Sequence, residues 1–349
     1  MPASPPGPPD PAPSPAARLL DAADLLGPYA IRAAATLRIA DHIAAGHHTA
    51  EAIAAAAGTE PDATRRLLDF LVHRGLFAEE TPGAFSLTPL SEPLREDHPG
   101  GLRAGLDLNG VNARSQRAYP LLTHTLRTGR AAYPESFGTG FYHDVDDDDA
   151  VLAAHRAGRT GRPTPVSVAL ADGYPWADAG HVVDVGGGAG SLLDTLLPRH
   201  PQLRGTLVDL PHTAAAVATA LAGKGLAERC TTVGGDFFDP GTIPAGADVY
   251  VLQNVLIDWG DDEALRLLRR CREAAGRTAR VLCVEWSPPE RGAGVAHADL
   301  HQLILNGGRV RTEPQLIRLA TAAGLTPDAA LRRTLATGHL VLTCTPTAG

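Results

Sequence analysis

Between residues 181 and 346, short apolar segments alternate with amphipathic segments, and this alternation restricts the fold more than any other feature of the chain. The apolar segments read HVVDVG, RGTLVDL, CTTVGG, ADVYVLQNVL, RVLCVEW and GHLVLTCTP. Segments of this kind are typical of buried strands, whereas stretches between them, such as DDEALRLLRRCREAAG, have the period of a helix. Alternating strands and helices predict an α/β fold with a mostly parallel, doubly wound sheet.

A different pattern precedes this region. Leu26, Ala30, Ala33, Leu37 and Ala40 recur at steps of four and three, which predicts one continuous helix face. The following elements are a helix after Thr49, a helix from Pro61 to Gly75, and the strands LFAEE and AFSLT joined by Thr81-Pro82-Gly83. Helix, turn, helix and two strands is the order of a winged helix.

These patterns divide the chain into four segments. Residues 1–18 are rich in proline and lack the basic and apolar regions of a signal peptide, so we expect a disordered tail. The mainly helical winged-helix domain occupies 19–104, a helical linker that contributes to a substrate pocket occupies 105–175, and the sheet domain occupies 176–349. A chain of 349 residues is long enough for two domains of ordinary size.

The charge balance disfavours partners that attract basic surfaces. The formal net charge is -8, whereas nucleic acids and anionic membranes bind positive surfaces. Winged helices often read DNA grooves, but the candidate recognition helix EPDATRRLLDFLVHRG mixes three arginines with three acidic side chains. We therefore predict that this unit mediates dimerisation, with no nucleic-acid partner. No segment reaches the roughly 18 apolar residues of a membrane helix, so we predict no membrane partner.

The four cysteines predict the cellular compartment. Cys230, Cys271, Cys283 and Cys344 form no C-x-x-C pair, and Cys283 and Cys344 lie in apolar strand-like segments. Reduced thiols in the core are typical of cytosolic proteins. We expect a cytoplasmic protein.

The acidic run Asp146–Asp149 has the composition of a calcium site without its spacing. An EF-hand loop that begins at Asp144 requires glycine at position 149 and glutamate at position 155. Asp149 and His155 occupy those positions. Acidic residues before a helix more often complement its dipole, so we predict no metal here.

Acidic residues and glycines mark the ends of successive strands. VVDVGGGAGS places Gly186, Gly188 and Gly190 after the first strand, where backbone and a helix N-terminus can meet a ligand. Asp184 precedes this loop, where dinucleotide-binding folds have an apolar residue, and Asp209 ends the second strand, where an acid can bind ribose hydroxyls. GGDFFD follows the third strand with Asp236 for an adenine amino group and Phe237 for stacking. Together they predict a site for an adenosyl ligand with a cationic tail.

The chain resembles the S-adenosylmethionine-dependent O-methyltransferases that have an N-terminal winged-helix dimerisation domain. The motifs DVGGGAG, LVDLP, GDFF, VLIDW and GGRVRTEPQL stand in the family's order, and the resemblance covers about residues 19–345. It implies a class I methyltransferase fold with a Rossmann-like sheet of seven strands, one of them antiparallel. It also implies an intertwined homodimer, S-adenosyl-L-methionine as cofactor, and a small aromatic or polyketide-like substrate. Leu210, Gln253 and Trp259 join the cofactor-binding residues by this resemblance.

The catalytic residues of the family are incompletely present. Family members usually have a histidine base directly before the Asp-Trp pair, oriented by two glutamates, but Ile257 stands at the histidine position. Glu285 matches the first glutamate and is the candidate catalytic residue, whereas Val310 stands at the second position. Methyl transfer by alignment to an acceptor that is already nucleophilic, namely an ionised acidic phenol, an enolate-like carbon or an amine, is the first interpretation. The alternative is a hydroxylase or cyclase that keeps the cofactor intact and uses its positive charge.

The resemblance also indicates the residues that line the substrate pocket. They are Tyr142, His155, Arg159, Asn254, Ile257, Asp299, Asn306 and Val310. Arg156, Arg159 and Arg162 either form a solvated basic face or bind an anionic substrate. His297, Asp299 and His301 have the order H-x-D-x-H, but the family has the aspartate without a metal, and we predict none.

Overall fold

The computed structural model describes residues 14–148, 152–153, 163–288 and 292–347. The chain divides into two compact units, Met1–Arg114 and Ser115–Gly349. The boundary expected after residue 104 therefore lies inside the first unit. Within the described ranges, none of the helices combines the length and the apolar character that a membrane crossing requires.

The first unit consists of short helices and one antiparallel hairpin. Its elements are α1 (Pro15–Ala23), α2 (Leu26–Thr36), α3 (Ile39–Ala44), α4 (Ala50–Ala57), α5 (Pro61–His73), β1 (Phe77–Thr81), β2 (Ala84–Leu87), a 3-10 helix (Glu92–Leu94) and α6 (Arg103–Leu106). The order α4, α5, β1, β2 is the one predicted from the sequence. Thr49 caps α4 by accepting the Ala52 N–H at 3.2 Å, and Glu60 caps α5.

Two predictions for this unit are wrong in detail. The expected tail, 1–18, overlaps helix α1, because the Ser14 hydroxyl accepts the Ala17 N–H at 3.2 Å and starts a helix at Pro15. The expected continuous helix face ends early, because Arg38 adopts a left-handed conformation with φ 55° and separates α2 from α3. The buried face of α2 contains Gly27 and Ala30, whereas Leu26 is exposed.

Apolar side chains of α1 and α2 are exposed in this chain. With Leu25, which directly precedes α2, their exposed fractions are between 56% and 73%, for Leu19, Leu20, Leu25, Leu26 and Tyr29. Single exposed apolar residues are ordinary, but a series on two consecutive helices is typical of a surface that another chain covers.

The second unit contains the alternating region. Its helices are α7 (Val111–Gln116, which begins in the first unit), a 3-10 helix (Tyr119–Leu121), α8 (Leu122–Thr128), α9 (Tyr133–Phe137), α10 (Phe141–Asp146), α11 (Pro165–Gly173), α12 (Ser191–Arg199), α13 (Pro211–Ala222), a 3-10 helix (Leu256–Asp258), α14 (Asp261–Ala275), α15 (Ala293–Asn306) and α16 (Glu313–Ala322). Its strands are β3 (His181–Val185), β4 (Arg204–Asp209), β5 (Cys230–Gly234), β6 (Val249–Gln253), β7 (Arg280–Trp286), β8 (Leu325–Pro327), β9 (Arg333–Thr334) and β10 (His339–Pro346).

The strands form one twisted sheet in the order β5-β4-β3-β6-β7-β10-β8. Strands β3 to β7 are parallel, and β10 is antiparallel to β7 and β8. This path confirms the expected seven strands with one antiparallel. The two-residue strand β9 also pairs with β10 and is an eighth strand that the sequence did not indicate.

Helices cover both faces of the sheet, and this arrangement positions the functional edge. One core packs α14 and α16 against the sheet, and the other packs α11, α12 and α13. Cys271, Cys283 and Cys344 are buried free thiols, and Cys230 is half-buried. Because β3 to β7 are parallel, the loops that follow them meet at one edge, which is where open α/β sheets bind ligands.

Candidate active site

A cavity of about 700 Å³ lies at this edge, within the second unit. Its wall includes ten of the residues predicted to bind cofactor or substrate: Tyr142, Gly186, Gly188, Asp209, Leu210, Asp236, Phe237, Gln253, Asn254 and Trp259. The wall is mostly apolar with a few polar groups, which is the usual composition of a site for an organic ligand.

The glycine loop after β3 forms part of this wall with its backbone. Gly186 and Gly188 have φ values of 70° and 55°, a conformation that favours glycine. Gly187 was not singled out from the sequence, yet a Cβ there would lie 2.6 Å from the Asp184 carboxylate. Gly190 does not line the cavity. It caps α12 with φ 74°, and a Cβ there would lie 2.7 Å from Val217, so its role is packing behind the loop.

Asp184 lies behind the loop at the end of β3 and is 1% exposed. Among the described residues, its Oδ2 atom has no hydrogen-bond partner. Burial, together with the negative charge of Asp209, raises the pKa of Asp184 to about 7. A buried carboxylate with an unused acceptor is expected where a donor or a cation completes the site.

Asp209 ends β4 and faces the cavity. Its Oδ2 accepts the Gly188 N–H at 2.7 Å, and its Oδ1 accepts the Leu210 N–H at 2.8 Å. Each carboxylate oxygen has two lone pairs. Asp209 can therefore hold the glycine loop and bind ligand hydroxyls with the same side chain.

Aromatic rings form another part of the cavity wall. Phe237 and Trp259 meet edge to face with centroids 5.9 Å apart, and Phe238 lies 4.7 Å from Trp259 in the same arrangement. The Asp236 carboxylate accepts the Phe238 N–H at 2.8 Å, which fixes the turn after β5. The cluster offers an apolar wall beside an acceptor, as the predicted adenine site requires.

The loop after β6 differs from the expected catalytic arrangement. Glu285 is 3% exposed and does not line the cavity. Its carboxylate accepts the backbone N–H groups of Val255 and Leu256 at 3.0 and 2.8 Å and that of Ile257 at 3.1 Å. Burial raises the pKa of Glu285 to about 8, against the effect of these donors. In this structure Glu285 organises the loop, and a direct catalytic contact stays a prediction.

Four predicted substrate residues near this loop, Ile257, Asp299, Asn306 and Val310, also lie outside the cavity wall. Val310 is buried, and its N–H donates to Asp299 Oδ1 at 2.8 Å. Ile257 lies on the 3-10 helix, and Asn306 ends α15 with a buried amide nitrogen that lacks a partner among the described residues. Their contacts with substrate stay predictions. The predictions for His155, Arg156, Arg159 and Arg162 fall outside the described residues.

Several residues of the cavity wall were missed from the sequence. Asp258, His143, Thr213, Ser191 and His339 line the cavity. Asp258 stands inside the VLIDW motif, so this motif could have indicated that it lines the cavity. Ser191 likewise ends the segment VVDVGGGAGS. The other three come from α10, from α13 and from the start of β10, whose approach to this edge depends on the tertiary fold. Burial lowers the pKa of His339, which favours its neutral form.

Helix α10 reaches three loops at this edge. Tyr142 Oη donates to Asp258 Oδ2 at 2.7 Å, after β6. His143 Nε2 lies 3.9 Å from Asp236 Oδ2, after β5. The buried Asp146 carboxylate accepts the first backbone N–H groups of α13, after β4. One short helix therefore connects three of the loops that form the cavity.

The described residues bring together one group of three possible metal ligands. Asp146, Asp147 and His212 have ligand atoms within 4.8 Å of one another, but the Asp146 oxygens cap α13 and the other two side chains are exposed. The predicted H-x-D-x-H stretch does not form such a group, and His301 Nδ1 instead lies 2.9 Å from Tyr119 Oη. We assign no metal to either place.

The residues present fit an adenosyl cofactor with a cationic tail. The backbone of Gly186 and Gly188 lines a cavity that side chains would fill, and Asp184 offers an unused acceptor directly behind it. Asp209 and the aromatic cluster lie on the adjacent strand ends. This is the order of polar and apolar groups that the ligand requires.

Comparisons with known proteins agree with this geometry. The family model for an O-methyltransferase domain matches residues 119–326, and that for an O-methyltransferase dimerisation domain matches residues 21–97. The chain is 45% identical over 308 residues to 2,7-dihydroxy-5-methyl-1-naphthoate 7-O-methyltransferase of Streptomyces carzinostaticus, which covers 88% of this chain and 92% of that protein. It is 38% identical over 309 residues to aclacinomycin 10-hydroxylase of Streptomyces purpurascens, with 86% and 82% covered.

A solved structure extends the similarity to three dimensions. An O-methyltransferase from neocarzinostatin biosynthesis, in complex with S-adenosylmethionine and 2-hydroxy-5-methyl naphthoic acid, superposes with a TM-score of 0.84 at 42% identity. The match covers 94% of this chain and 98% of that one. Because both family models match and a relative 45% identical over 88% of the chain is an O-methyltransferase, the chain belongs to the S-adenosylmethionine-dependent O-methyltransferases of secondary metabolism.

Proposed function

We propose that this protein transfers a methyl group to an acidic hydroxyl of a small aromatic secondary metabolite, without an enzyme imidazole at the acceptor. The observation that carries the proposal is the loop after β6, where Ile257 replaces the family histidine and Glu285 is bound to backbone N–H groups. The relative with a naphthoate substrate supports an aromatic acceptor.

The cofactor residues divide the binding task. S-adenosylmethionine, when bound, supplies an electrophilic methyl group on a sulfonium. Asp184 and Asp209 provide negative charge beside the glycine loop, while Phe237 and Trp259 provide aromatic surfaces. The mostly apolar wall excludes water, which strengthens charge interactions inside the cavity. These residues bind and orient, and none of them has to accept a proton.

Alignment of the two reactants supplies the larger part of the rate enhancement, with or without a base. General base catalysis contributes about 10²- to 10⁴-fold, whereas effective molarities of about 10⁵ M or more are available from positioning two reactants. An acceptor that ionises by itself then needs no imidazole. The rate should therefore follow the ionisation of the acceptor hydroxyl.

Product analysis tests this function. With purified enzyme and 2,7-dihydroxy-5-methyl-1-naphthoate as probe, we expect one S-adenosylhomocysteine for each methylated product. The pH profile should move with the pKa of the acceptor when the ring carries electron-withdrawing groups. A profile that stays at a fixed pKa near 6.5, the ordinary histidine value, would contradict the proposal.

A second candidate function is hydroxylation of the substrate without methyl transfer. The relative named as a 10-hydroxylase, at 38% identity, supports it. In that case the sulfonium acts as a fixed charge beside the substrate. The same assay separates the two functions, because hydroxylation leaves S-adenosylmethionine intact while product accumulates.

The assembly we propose is a homodimer through the first unit. The dimerisation-domain match and the exposed apolar residues of α1 and α2 support it. Leu26→Glu, at a position 64% exposed, should shift the protein to monomer in sedimentation measurements. Arg66→Glu, on an exposed face of α5, is the control and should leave the mass unchanged. A monomeric parent protein would refute this assembly.

A further inference from the structure

The predicted adenine and ribose sites order the cofactor along the sheet edge. Asp236 and Phe237, after β5, are the predicted adenine site, and Asp209, after β4, is the predicted ribose site. In the sheet order β5-β4-β3-β6-β7-β10, the glycine loop after β3 comes next. A ligand that extends in one direction therefore brings its amino-acid tail past β3 and β6, toward the start of β10.

The cofactor tail carries two opposite charges, and the acidic residues described above can bind only one of them. S-adenosylmethionine ends in an α-ammonium group and a carboxylate, and Asp184 is the predicted partner of the cationic part. Among the described residues of the cavity wall there is no lysine or arginine, whereas Asp209, Asp236 and Asp258 are acidic. The carboxylate requires a hydrogen-bond donor in such a wall, because an unpaired buried charge is costly.

His339 lies at the end of the cavity where this donor is required. It begins β10 opposite Trp286, at the end of β7, and it lines the cavity. Side chains alternate between the faces of a strand, and Val341 belongs to the core that α11, α12 and α13 cover. The His339 side chain therefore lies on the α11 face of the sheet, where Thr164 at the N-terminus of α11 also lines the cavity.

The imidazole ring of His339 has one nitrogen held by the protein and one without a contact. Nδ1 lies 3.0 Å from Thr337 Oγ1 and 3.3 Å from the Thr337 carbonyl oxygen. Nε2 has no hydrogen-bond partner among the described residues. When the Thr337 hydroxyl donates to Nδ1, the proton of the neutral ring is on Nε2. An imidazolium ring has the same N–H, so in both of these forms Nε2 is a donor.

We propose that His339 Nε2 donates a hydrogen bond to the carboxylate of S-adenosylmethionine and thereby fixes the direction of the cofactor tail. His143, the other histidine of the described wall, lies 3.9 Å from Asp236 at the predicted adenine end. The contact concerns the cofactor alone, so it does not depend on the acceptor or on whether the methyl group is transferred. A hydrogen bond to a charged group contributes roughly 10- to 100-fold in affinity.

Three adenosyl ligands with different tails test this contact. S-adenosylmethionine has the complete tail, and decarboxylated S-adenosylmethionine lacks only the carboxylate. The third ligand, 5′-methylthioadenosine, lacks the amino-acid tail and the positive charge on sulfur. Each is titrated calorimetrically into the full-length enzyme. The parent enzyme should bind S-adenosylmethionine at least tenfold more tightly than the decarboxylated ligand.

Two variants remove the donor in different ways. His339→Ala removes the ring, and His339→Phe keeps a ring without an N–H group. In both, the preference for the ligand with the carboxylate should fall to within about twofold, while the dissociation constant of 5′-methylthioadenosine stays unchanged. His73→Ala, at an exposed position of α5, is the control and should keep the full preference. Thermal unfolding identifies a variant that fails to fold, and the other variant then carries the test.

The outcomes separate a contact with the carboxylate from a role in shaping the cavity. If both variants keep the tenfold preference, another group binds the carboxylate and the inference is overturned. If all three ligands lose affinity equally, His339 only shapes the wall, and the inference is overturned as well. A parent enzyme without a preference between the two sulfonium ligands would also overturn it. In each of these cases the proposed methyl transfer stands, because the assay does not involve the acceptor.

Discussion

The two halves of the sheet edge use acidic side chains in opposite ways. After β3 and β4, Asp184 retains an acceptor without a partner among the described residues, and Asp209 faces the cavity. After β6 and β7, Glu285 binds three backbone N–H groups, and Asp299 binds the N–H of Val310. Asp184 and Asp209 thus keep acceptor atoms at the glycine loop, whereas Glu285 and Asp299 lie outside the cavity wall and hold the chain.

This difference corresponds to the two parts of the proposed reaction, cofactor binding, which the family shares, and recognition of the acceptor, which varies between members. Every member of the family binds the same cofactor, so the charge requirement of the first half is constant. In the proposed function the second half faces the acceptor, and an apolar loop there is sufficient for an acceptor that ionises by itself. Substitutions of individual residues in the two halves test whether this difference holds.

The largest effect is expected from Glu285→Ala. Three backbone N–H groups lose their acceptor, so we expect a loss of about 3 kcal/mol in the free energy of unfolding and a large decrease in kcat. Denaturant unfolding measures the first, and Glu228→Ala, at an exposed position, is the control. Full stability with lost activity would instead favour a direct catalytic role for Glu285.

The next effect is on cofactor affinity. Asp209→Ala should weaken S-adenosylhomocysteine binding about 10- to 100-fold, because a charged acceptor for ligand hydroxyls and for the Gly188 N–H is removed. Calorimetry measures the dissociation constant, and Asp262→Ala is the control. Unchanged affinity would remove Asp209 from the cofactor site.

The third effect depends on pH. With a pKa of about 7, Asp184 is protonated below that value and must lose a proton to pair with a cationic ligand. S-adenosylmethionine affinity should rise as pH increases from 6 to 8, by up to about tenfold, and then level off. Stability without ligand should change in the opposite direction, because the folded pKa lies above the unfolded value. Asp184→Asn should abolish the pH dependence of affinity and reduce that of stability, because Glu285, whose pKa is raised to about 8, also contributes to the latter. A parent enzyme whose affinity does not change with pH would contradict this role.

The smallest effect is expected from restoring the family base. Ile257→His should change kcat by less than about tenfold, because Val310 provides no carboxylate and Glu285 is bound to the backbone. Ile257→Asn, of similar size, is the control without a titrating group. The double variant Ile257→His and Val310→Glu should add a pKa near 6.5 to the rate profile. A large gain from the single variant would show that the loop already orients an imidazole.

Much of the fold could be predicted from the sequence, because each strand and each helix leaves its own hydrophobic pattern in the residues that form it. The predicted apolar segments form strands β3 to β7 and β10. The predicted loop glycines have positive φ values, the conformation that favours glycine. β8 and β9 were missed because three- and two-residue strands have no period of their own. The prediction of one continuous helix face through Leu37 was wrong, because a single left-handed residue, Arg38, separates α2 from α3.

The site was predictable where its residues follow strands directly. Asp184, Asp209 and Asp236 lie at strand ends, so their positions follow from the sheet alone. His143 and His339 reach the cavity by tertiary packing, which no local pattern encodes. The role of Glu285 could not be read from its identity, because a carboxylate serves a backbone or a substrate equally well and only its neighbours decide.

The three contacts of α10 have a consequence for the timing of turnover. Tyr142, His143 and Asp146 fasten one helix of six residues to three separate loops, so the helix leaves the cavity only when all three contacts are absent together. Three weak contacts that must break simultaneously produce rare openings, although each one alone exchanges rapidly. We therefore expect that weakening any one of these contacts shortens the time that a product stays bound.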